Sequence, residues 1–511
     1  MLELTDKQQE IKDNALQKNN AINYIKGYAG TGKTITSAAI VKEIMSSTSS
    51  SIMVVAPTST ALDNIRQKID SEIGHSRRIY FKTLASLIKR VEKYIQSPKG
   101  IKFPLNSKGI SQLNQFLKGL NIDSSSLIKE VDTNGEIDYL VNADLLNDLL
   151  KAKINTNFNF ELTTDFVIIS EDEIIDKLKF VDYVLIDEAS MVNDIEMKAL
   201  NDAILKFNKE QNNLFGEFAN DNKKIIWVGD NKQLPPVDGK VAKEFVNNKE
   251  NVLTEVLRSN DKVIDYATLV RNKSINSLLN KTEIANDLTD YLYNNIDELL
   301  KYDVVLTFTN RNVNLINSIL RSNFTESDTL TVGEPIVIDR NARNNTGRTI
   351  AYNSQRVRIS NIKSQDETVQ YITNILVTEG IDAKSEDERY LYVKPFVNQN
   401  KLRLIEIEDE VNKNRKWVLA NVNINNNRVN SYESQIIELI TKACQNQKDE
   451  LVYIYWKSAY AMTVHKSQGS EWPRVVYIYQ LNRRPFAQNK NLDYTAITRA
   501  KSDIKIIAYT N

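Results

Sequence analysis

The sequence is short of several residue types, and each shortage closes off a class of protein. One cysteine, Cys444, occurs in 511 residues. Neither a disulfide framework nor a cysteine-built metal site can be made from it, and a reducing, cytosolic setting fits. The two histidines, His75 and His465, are too few for a zinc cluster. No sign of charge is in excess, with 66 Lys+Arg against 66 Asp+Glu. A nucleic-acid partner must therefore be held by local patches, since no general basic excess exists to coat it. No apolar run is long enough to cross a bilayer. The opening MLELTDKQQE is too polar for a secretory signal, so no membrane partner is expected.

What remains is a chain that is 41% hydrophobic, long enough for three or four domains. Near-continuous apolar runs at 21–26, 51–56, 181–186 and 224–228 alternate with helical stretches, the pattern of a parallel sheet covered on both faces. The region 91–170 interrupts this pattern. In it Asn157–Leu162 and Phe166–Ser170 flank Thr163-Thr164-Asp165 and read as a β-hairpin, although the turn lacks glycine. A second α/β unit is expected from about Asn251, with a buried strand at 303–307. The β-rich, Asn- and Lys-rich stretch 331–450 interrupts it, and strands at 451–455 and 475–479 close it. The fold expected is thus α/β, with two parallel-sheet P-loop units each carrying an insertion. The first unit is residues 1–90 and 171–250, and the second is 251–330 and 451–511.

Gly27-Tyr28-Ala29-Gly30-Thr31-Gly32-Lys33-Thr34 matches G-x-x-x-x-G-K-[ST] between a predicted strand and a predicted helix. Gly27, Gly30, Thr31 and Gly32 let backbone N–H groups turn towards phosphate oxygens. Lys33 brings a point charge to the β- and γ-phosphates, and the Thr34 hydroxyl is a ligand for Mg²⁺. Val184-Leu185-Ile186-Asp187-Glu188-Ala189 supplies the partner: Asp187 for Mg²⁺, and Glu188 to orient and deprotonate water. ATP with Mg²⁺ is the expected cofactor pair. Gly229-Asp230-Asn231-Lys232-Gln233-Leu234-Pro235-Pro236-Val237 follows another strand. There Gln233 reads either as a γ-phosphate sensor or as part of a surface turn.

These three elements, in this order, resemble the motif set of superfamily 1 helicases, and Q-L-P-P-V is similar to the RecD-like and Dda-like branch that moves 5′-to-3′. Leu253-Thr254-Glu255-Val256-Leu257-Arg258-Ser259 resembles the segment of that family carrying an arginine finger. Residues 461–470 (AMTVHKSQGS) resemble motif V, and residues 494–501 (YTAITRAK) resemble motif VI. Leu4-Thr5-Asp6-Lys7-Gln8 is similar to the Q motif, which implies that Gln8 reads adenine. The resemblance implies two RecA-like domains, the second bearing an SH3-like insertion at 331–450. It also implies an ATPase whose Arg258 and Arg499 reach the γ-phosphate from the second domain. A lone arginine is otherwise most simply a surface salt bridge.

The same resemblance implies a track for single-stranded DNA: Pro57, Thr58, Thr60, Thr83 and Ser86 in the first domain, Thr463 and His465 in the second. Ala85 stands where the family usually has histidine, and His465 reads equally as a structural residue. Residues 77–102 are basic with interleaved aromatics, which suits a single strand or a solvated helix face. Phe158 and Phe160 are candidates for a pin that parts the duplex, or else core residues. The expected partners are single-stranded DNA and single-strand/duplex junctions, with replication or single-strand-binding proteins, for a chain acting as a monomer. An RNA-acting helicase and a nucleotide-gated binding protein without unwinding stay open as alternatives.

Overall fold

The structure is a computed structural model. It describes residues 4–17, 20–97, 101–105, 107–124, 127–133, 136–141, 143–154, 160–215, 222–236, 240–256, 261–344, 349–378, 393–394, 397–398, 401–410, 413–423, 451–481 and 489–510. The chain divides into two compact units. One comprises Met1–Thr83, Val181–Met197 and Phe218–Asn511, the other Leu84–Phe180 and Lys198–Glu217.

The larger unit holds two parallel sheets. The first has six strands in the order Val252–Leu253, Ile22–Gly27, Lys224–Gly229, Tyr183–Ile186, Ile52–Ala56, Ile79–Thr83. All its pairings are parallel. Its inner strands are apolar along their length because helices cover both faces, as Val54, Ala56, Leu185, Ile226 and Val228 show in one buried cluster with Ile40, Ile44 and Ile65. The second sheet runs Glu283–Ala285, Ala500–Tyr509, Trp472–Gln480, Val304–Thr307, Ala461–Thr463, again all parallel. The α/β reading with two parallel-sheet lobes therefore stands.

Two boundaries are corrected. Val252–Leu253, expected in the second unit, is an edge strand of the first sheet, paired through Lys26 and Gly27. The run 451–455, expected in the second parallel sheet, packs instead in the interrupting module. There Val452, Ile454 and Trp456 share a core with Ile336, Val357, Ile405 and Val418. An apolar run declares burial, and only the pairing decides which sheet receives it. This module is a five-stranded antiparallel sheet in the order Arg415–Asn421, Leu402–Asp409, Arg356–Ile362, Pro335–Ile338, Trp456–Ser458. Within the stretch expected to be β-rich, Val393 is helical.

The module is fastened to the second lobe by a buried guanidinium. Arg356 donates to the carbonyls of Ala459 (2.7 Å) and Asp303 (2.6 Å) and pairs with Glu410. Glu410 also accepts the indole N–H of Trp472 at 3.1 Å. Each nitrogen of the guanidinium has a partner and its charge is paired, the condition under which burying charge is tolerable.

The smaller unit corrects the expected pin. Thr163-Thr164-Asp165 is no turn; it lies mid-strand in Glu161–Ile168, which pairs antiparallel with Lys89–Gln96 from Glu161↔Gln96 to Ile168↔Lys89. Two threonines favour extended backbone, and nothing there supplies the positive φ of a tight hairpin. A hairpin does exist between Ile128–Thr133 and Glu136–Val141. The sequence between them, Asn134-Gly135, is the strongest short hairpin signal and was the one to read. Phe160 is no wedge. It is 2% exposed, with its ring among Phe103, Phe116 and Leu113, and its backbone N–H and carbonyl are held by the Asn147 amide. Phe158 lies outside the described residues.

Phe160→Ala should therefore destabilise the smaller unit by about 3–5 kcal/mol, the cost of a core cavity. Denaturant unfolding followed by proteolysis of that unit measures it, and a loss under about 1 kcal/mol would return Phe160 to the surface.

Candidate nucleotide and nucleic-acid sites

The site grows from the C-terminal ends of neighbouring parallel strands, where α/β sheets hold ligands. Ile22–Gly27 delivers the Gly-rich loop, and helix Lys33–Ser47 starts directly after it. Gly32, the residue capping that helix, has φ +80° with no side chain to strain, so the first N–H groups of the helix open onto the loop. Lys33 Nζ donates to the carbonyls of Gly27 (2.9 Å) and Tyr28 (3.1 Å), lying across the loop. The Thr31 hydroxyl donates to the Tyr28 carbonyl at 2.8 Å.

Gln8 is buried beneath this loop. Its amide oxygen accepts from the Thr5 N–H (3.0 Å), and its amide nitrogen donates to the Thr31 carbonyl (3.1 Å). With Thr5 it forms a capping box on helix Asp6–Leu16. In this arrangement Gln8 anchors the loop, with one bond at each end of its amide.

Strand Tyr183–Ile186 sets Asp187 and Glu188 opposite the lysine. The Asp187 carboxyl is pushed up to about 7, first by burial and then by the charge of Glu188, against the pull of Lys33. Glu188 sits at φ +54°, a left-handed conformation unusual for a residue with a side chain. A cavity of about 270 Å³ is lined by Lys33, Thr34, Asp187, Glu188 and Gln233, and also by Arg499 from the second lobe. The Thr34 hydroxyl and Asp187 carboxylate on one wall are the oxygen donors a Mg²⁺ ion takes from protein when phosphates and water supply the rest. The cation would also relieve the carboxylate repulsion that lifts Asp187.

Arg499 follows helix Asn489–Ile497 and is buried. Its Nε donates to the Thr495 carbonyl and its Nη1 to the Ser470 carbonyl, both at 3.2 Å. Arg258 lies outside the described residues. Sequence reasoning passed over Glu471, Lys501 and Asn64. They line an adjoining cavity of about 440 Å³ together with Arg499 and Glu188. The Asn64 amide bonds the Gly469 carbonyl across the lobes. Gly469 has φ +80°, and a Cβ there would lie 3.1 Å from Ala61, so this approach requires glycine. Glu471 directly follows the motif V stretch and could have been found by extending it.

The candidate DNA contacts fall at matching places in the two lobes. Ala56 and Thr83 are register partners at the ends of adjacent strands in the first sheet, as Thr307 and Thr463 are in the second. Pro57 and Thr60 are part-exposed. Thr58 caps helix Ser59–Ile73, its hydroxyl accepting from the Ala61 N–H at 3.2 Å. Thr463 is buried, its hydroxyl accepting from the Lys466 N–H, so it shapes a turn here. His465 is half-buried, with its pKa lowered by burial, and its ring stands 6.1 Å from Phe308. Ser86 lies in the smaller unit, where its carbonyl accepts from Lys177.

The basic stretch 77–102 is no helix face. Arg78 donates to the carbonyls of Met45, Thr48 and Ser50, which finishes the helix after the Gly-rich loop. Lys102 pairs with Asp165 at 2.9 Å, and Arg90 with Glu92 at 2.6 Å. Those cations serve the fold.

Two lobes that each carry a parallel sheet, with a Gly-rich loop facing an Asp-Glu pair, define a P-loop nucleotide hydrolase. The chain belongs to the AAA-domain family, whose model matches residues 3–283, and the superfamily 1 helicase resemblance of its motifs is borne out. A model of the UvrD-like helicase C-terminal domain matches residues 458–505. An uncharacterized protein of Methanocaldococcus jannaschii is 27% identical over 480 residues, covering 83% of this chain and 37% of that protein. The ATP-dependent DNA helicase dda of Enterobacteria phage T4 is 33% identical over 135 residues, 22% of this chain and 30% of that one. The chain thus spans about a third of the length of the curated relatives it matches. Among solved structures, the Pif1 helicase of Candida albicans has a TM-score of 0.47 at 15% identity, covering 99% of this chain and 95% of that one. A Bacteroides Pif1 helicase in complex with ADP-AlF3 and ssDNA gives 0.44 at 15% identity, covering 99% and 92%. No described helix is long and apolar enough to cross a membrane.

The raised pKa of Asp187 makes a signed expectation. The folded protein holds this proton more tightly than the unfolded chain, so the group's stabilising contribution is present below about pH 4 and is lost as pH rises to about 7. Asp187→Asn should raise the melting temperature of metal-free protein at pH 8 by about 2–4 °C or more. The gap should shrink towards pH 5, and the variant should lose ATP turnover. Calorimetry in chelator at both pH values checks the sign; a variant less stable than the parent at pH 8 would refute it.

Proposed function

We propose that this chain is an ATP-driven helicase that moves 5′-to-3′ along single-stranded DNA and unwinds duplex ahead of it. The observation that carries the reading is Arg499. It arrives from the second lobe, yet lines the same cavity as Lys33, Glu188 and Gln233. An ATPase that only needs to hydrolyse can be completed within one domain, whereas a motor must make hydrolysis depend on how two domains meet.

Lys33 leaves its loop carbonyls to neutralise the β- and γ-phosphates of ATP, while the N-terminal N–H groups of helix Lys33–Ser47 hold phosphate oxygens. Thr34 and Asp187 would hold Mg²⁺, which supplies charge neutralisation between the β- and γ-phosphates. Glu188 orients a water for in-line attack and takes its proton. Gln233 contacts the γ-phosphate from the side, and Arg499, with Arg258 as its counterpart, stabilises the charge that builds on the leaving phosphate oxygens. When that charge departs, the cations lose their reason to stay, and the lobes separate.

Single-stranded DNA would run across the strand ends carrying Pro57, Thr58, Thr60 and Thr83 in the first lobe and Thr463 and His465 in the second; Ser86, in the smaller unit, is a further candidate contact. Backbone N–H groups and hydroxyls there suit phosphate and sugar contacts that are indifferent to sequence. Dda, which resembles 22% of this chain, is named as an ATP-dependent DNA helicase. That supports DNA over RNA, and the Q-L-P-P-V ending of residues 233–237 supports the 5′-to-3′ sense. Partners are single-stranded DNA and its junctions with duplex.

Lys33→Ala should lower ATP turnover by at least about a hundred-fold, on the scale of removing a charge that acts in the transition state, with DNA affinity changed little. Unchanged turnover would end the assignment of the phosphate site. Unwinding of tailed duplexes should require a 5′ tail; activity only on 3′-tailed substrates would reverse the polarity.

A further inference from the structure

Helix Asn489–Ile497 presents three side chains at i, i+3 and i+4, one face of a helix, to the loop that carries Gln233. Asn491 donates to the carbonyls of Lys232 and Gln233, both at 3.0 Å, and the Thr495 hydroxyl accepts from the Leu234 N–H at 2.9 Å. Tyr494, between them, is 1% exposed. Its hydroxyl donates to Asp230 Oδ2 at 2.8 Å and accepts from the Ala29 N–H at 3.0 Å. Asp230 Oδ1 accepts from the Lys232 N–H at 3.0 Å.

The direction of these bonds is fixed by chemistry. A carboxylate only accepts, so the phenol proton goes to Asp230, and the phenol oxygen is left for the backbone amide. Burial and the neighbouring Asp230 carboxylate hold the phenol pKa well above its ordinary value, which keeps that proton in place. The Gly-rich loop is gripped a second time from the same lobe, since the Arg271 guanidinium lies 3.7 Å from the centroid of the Tyr28 ring. Consecutive residues of the phosphate loop, Tyr28 and Ala29, are thus tied to the second lobe at atoms other than Lys33 and the helix N-terminus.

We propose that the Tyr494 hydroxyl is a positioning contact that makes ATP turnover depend on the second lobe. By joining the Ala29 amide and the Asp230 carboxylate at one atom, it sets the distance between the Gly-rich loop and Gln233. Any shift of its helix moves both together, and Arg499 at the helix end moves with them. This rests on the reading of the chain as a DNA-stimulated ATPase. Tyr494 touches no phosphate, so its loss should act on turnover and leave ATP affinity nearly alone.

Tyr494→Phe keeps the buried ring and removes both hydrogen bonds. Steady-state ATP hydrolysis of the full chain is measured with saturating single-stranded DNA. The kcat should fall roughly ten-fold while KM for ATP stays within about two-fold and the melting temperature within a few degrees, the pattern of an interaction felt in the transition state alone. Asp230→Ala removes the acceptor from the other side, and it carries the test if the phenylalanine variant folds poorly. The double variant should lose less than the product of the two singles, because both remove the bond between Tyr494 and Asp230. A Tyr494→Phe kcat within two-fold of the parent, losses that multiply in the double variant, or a fall in kcat matched by an equal rise in KM and a collapse in stability would each overturn the proposal. If the parent hydrolyses ATP without any response to DNA, the motor reading fails with it. DNA-stimulated turnover that survives Tyr494→Phe removes the positioning role alone.

Discussion

One electrostatic arrangement governs this molecule: two adjacent carboxylates, Asp187 and Glu188, held at the end of a buried strand across from the single ammonium of Lys33. Three neighbouring parallel strands are needed to place them, and the apolar cores that bury those strands also withdraw water from the carboxylates. That is why Asp187 is driven up to about 7. The site is poised against itself until polyphosphate and a divalent cation arrive. The left-handed backbone at Glu188 belongs to the same economy of strain, because surrounding packing must hold a conformation the residue would not choose.

The second lobe completes this arrangement by contributing few groups at well-chosen points. Arg499 faces the cavity, and the helix before it grips the Gln233 loop through its backbone. Gly469 allows the two lobes to approach closely, since its left-handed backbone and a Cβ only 3.1 Å from Ala61 would both strain any other residue. Hydrogen bonds to backbone carbonyls and amides suit such a joint. They are directional, and each is worth about 1 kcal/mol net, so the joint breaks and re-forms within the range that nucleotide binding can shift.

How much of this was legible in the sequence depends on the range of the interaction. The Gly-rich loop and the Asp-Glu pair were readable because each is a short segment whose chemistry demands its residues in order. The inner strands were readable because burial on both faces leaves an unbroken apolar run. Sheet membership was not: Val252–Leu253 and residues 451–458 carry the right residues for strands, but their partners lie hundreds of residues away or in a different module. The expected hairpin was misplaced because Thr163-Thr164-Asp165 lacks the turn chemistry that the sequence Asn134-Gly135 carries. Gln8 showed the reverse limit, since its motif was visible while its engagement with Thr5 and Thr31 was not. Glu471 and the cross-lobe role of Tyr494 lay in stretches already recognised, yet their partners are set only by the meeting of the lobes.

The fastening at Arg356 has a mechanical meaning. Because Glu410 accepts from both the module's guanidinium and the indole of Trp472, the antiparallel sheet and the strand Trp472–Gln480 are joined through one carboxylate. Losing one partner of this pair would leave the other buried and uncompensated, a loss of about 3–5 kcal/mol. Torque on the module is thereby delivered to the strand that leads back to Arg499, as through the arm of a crank.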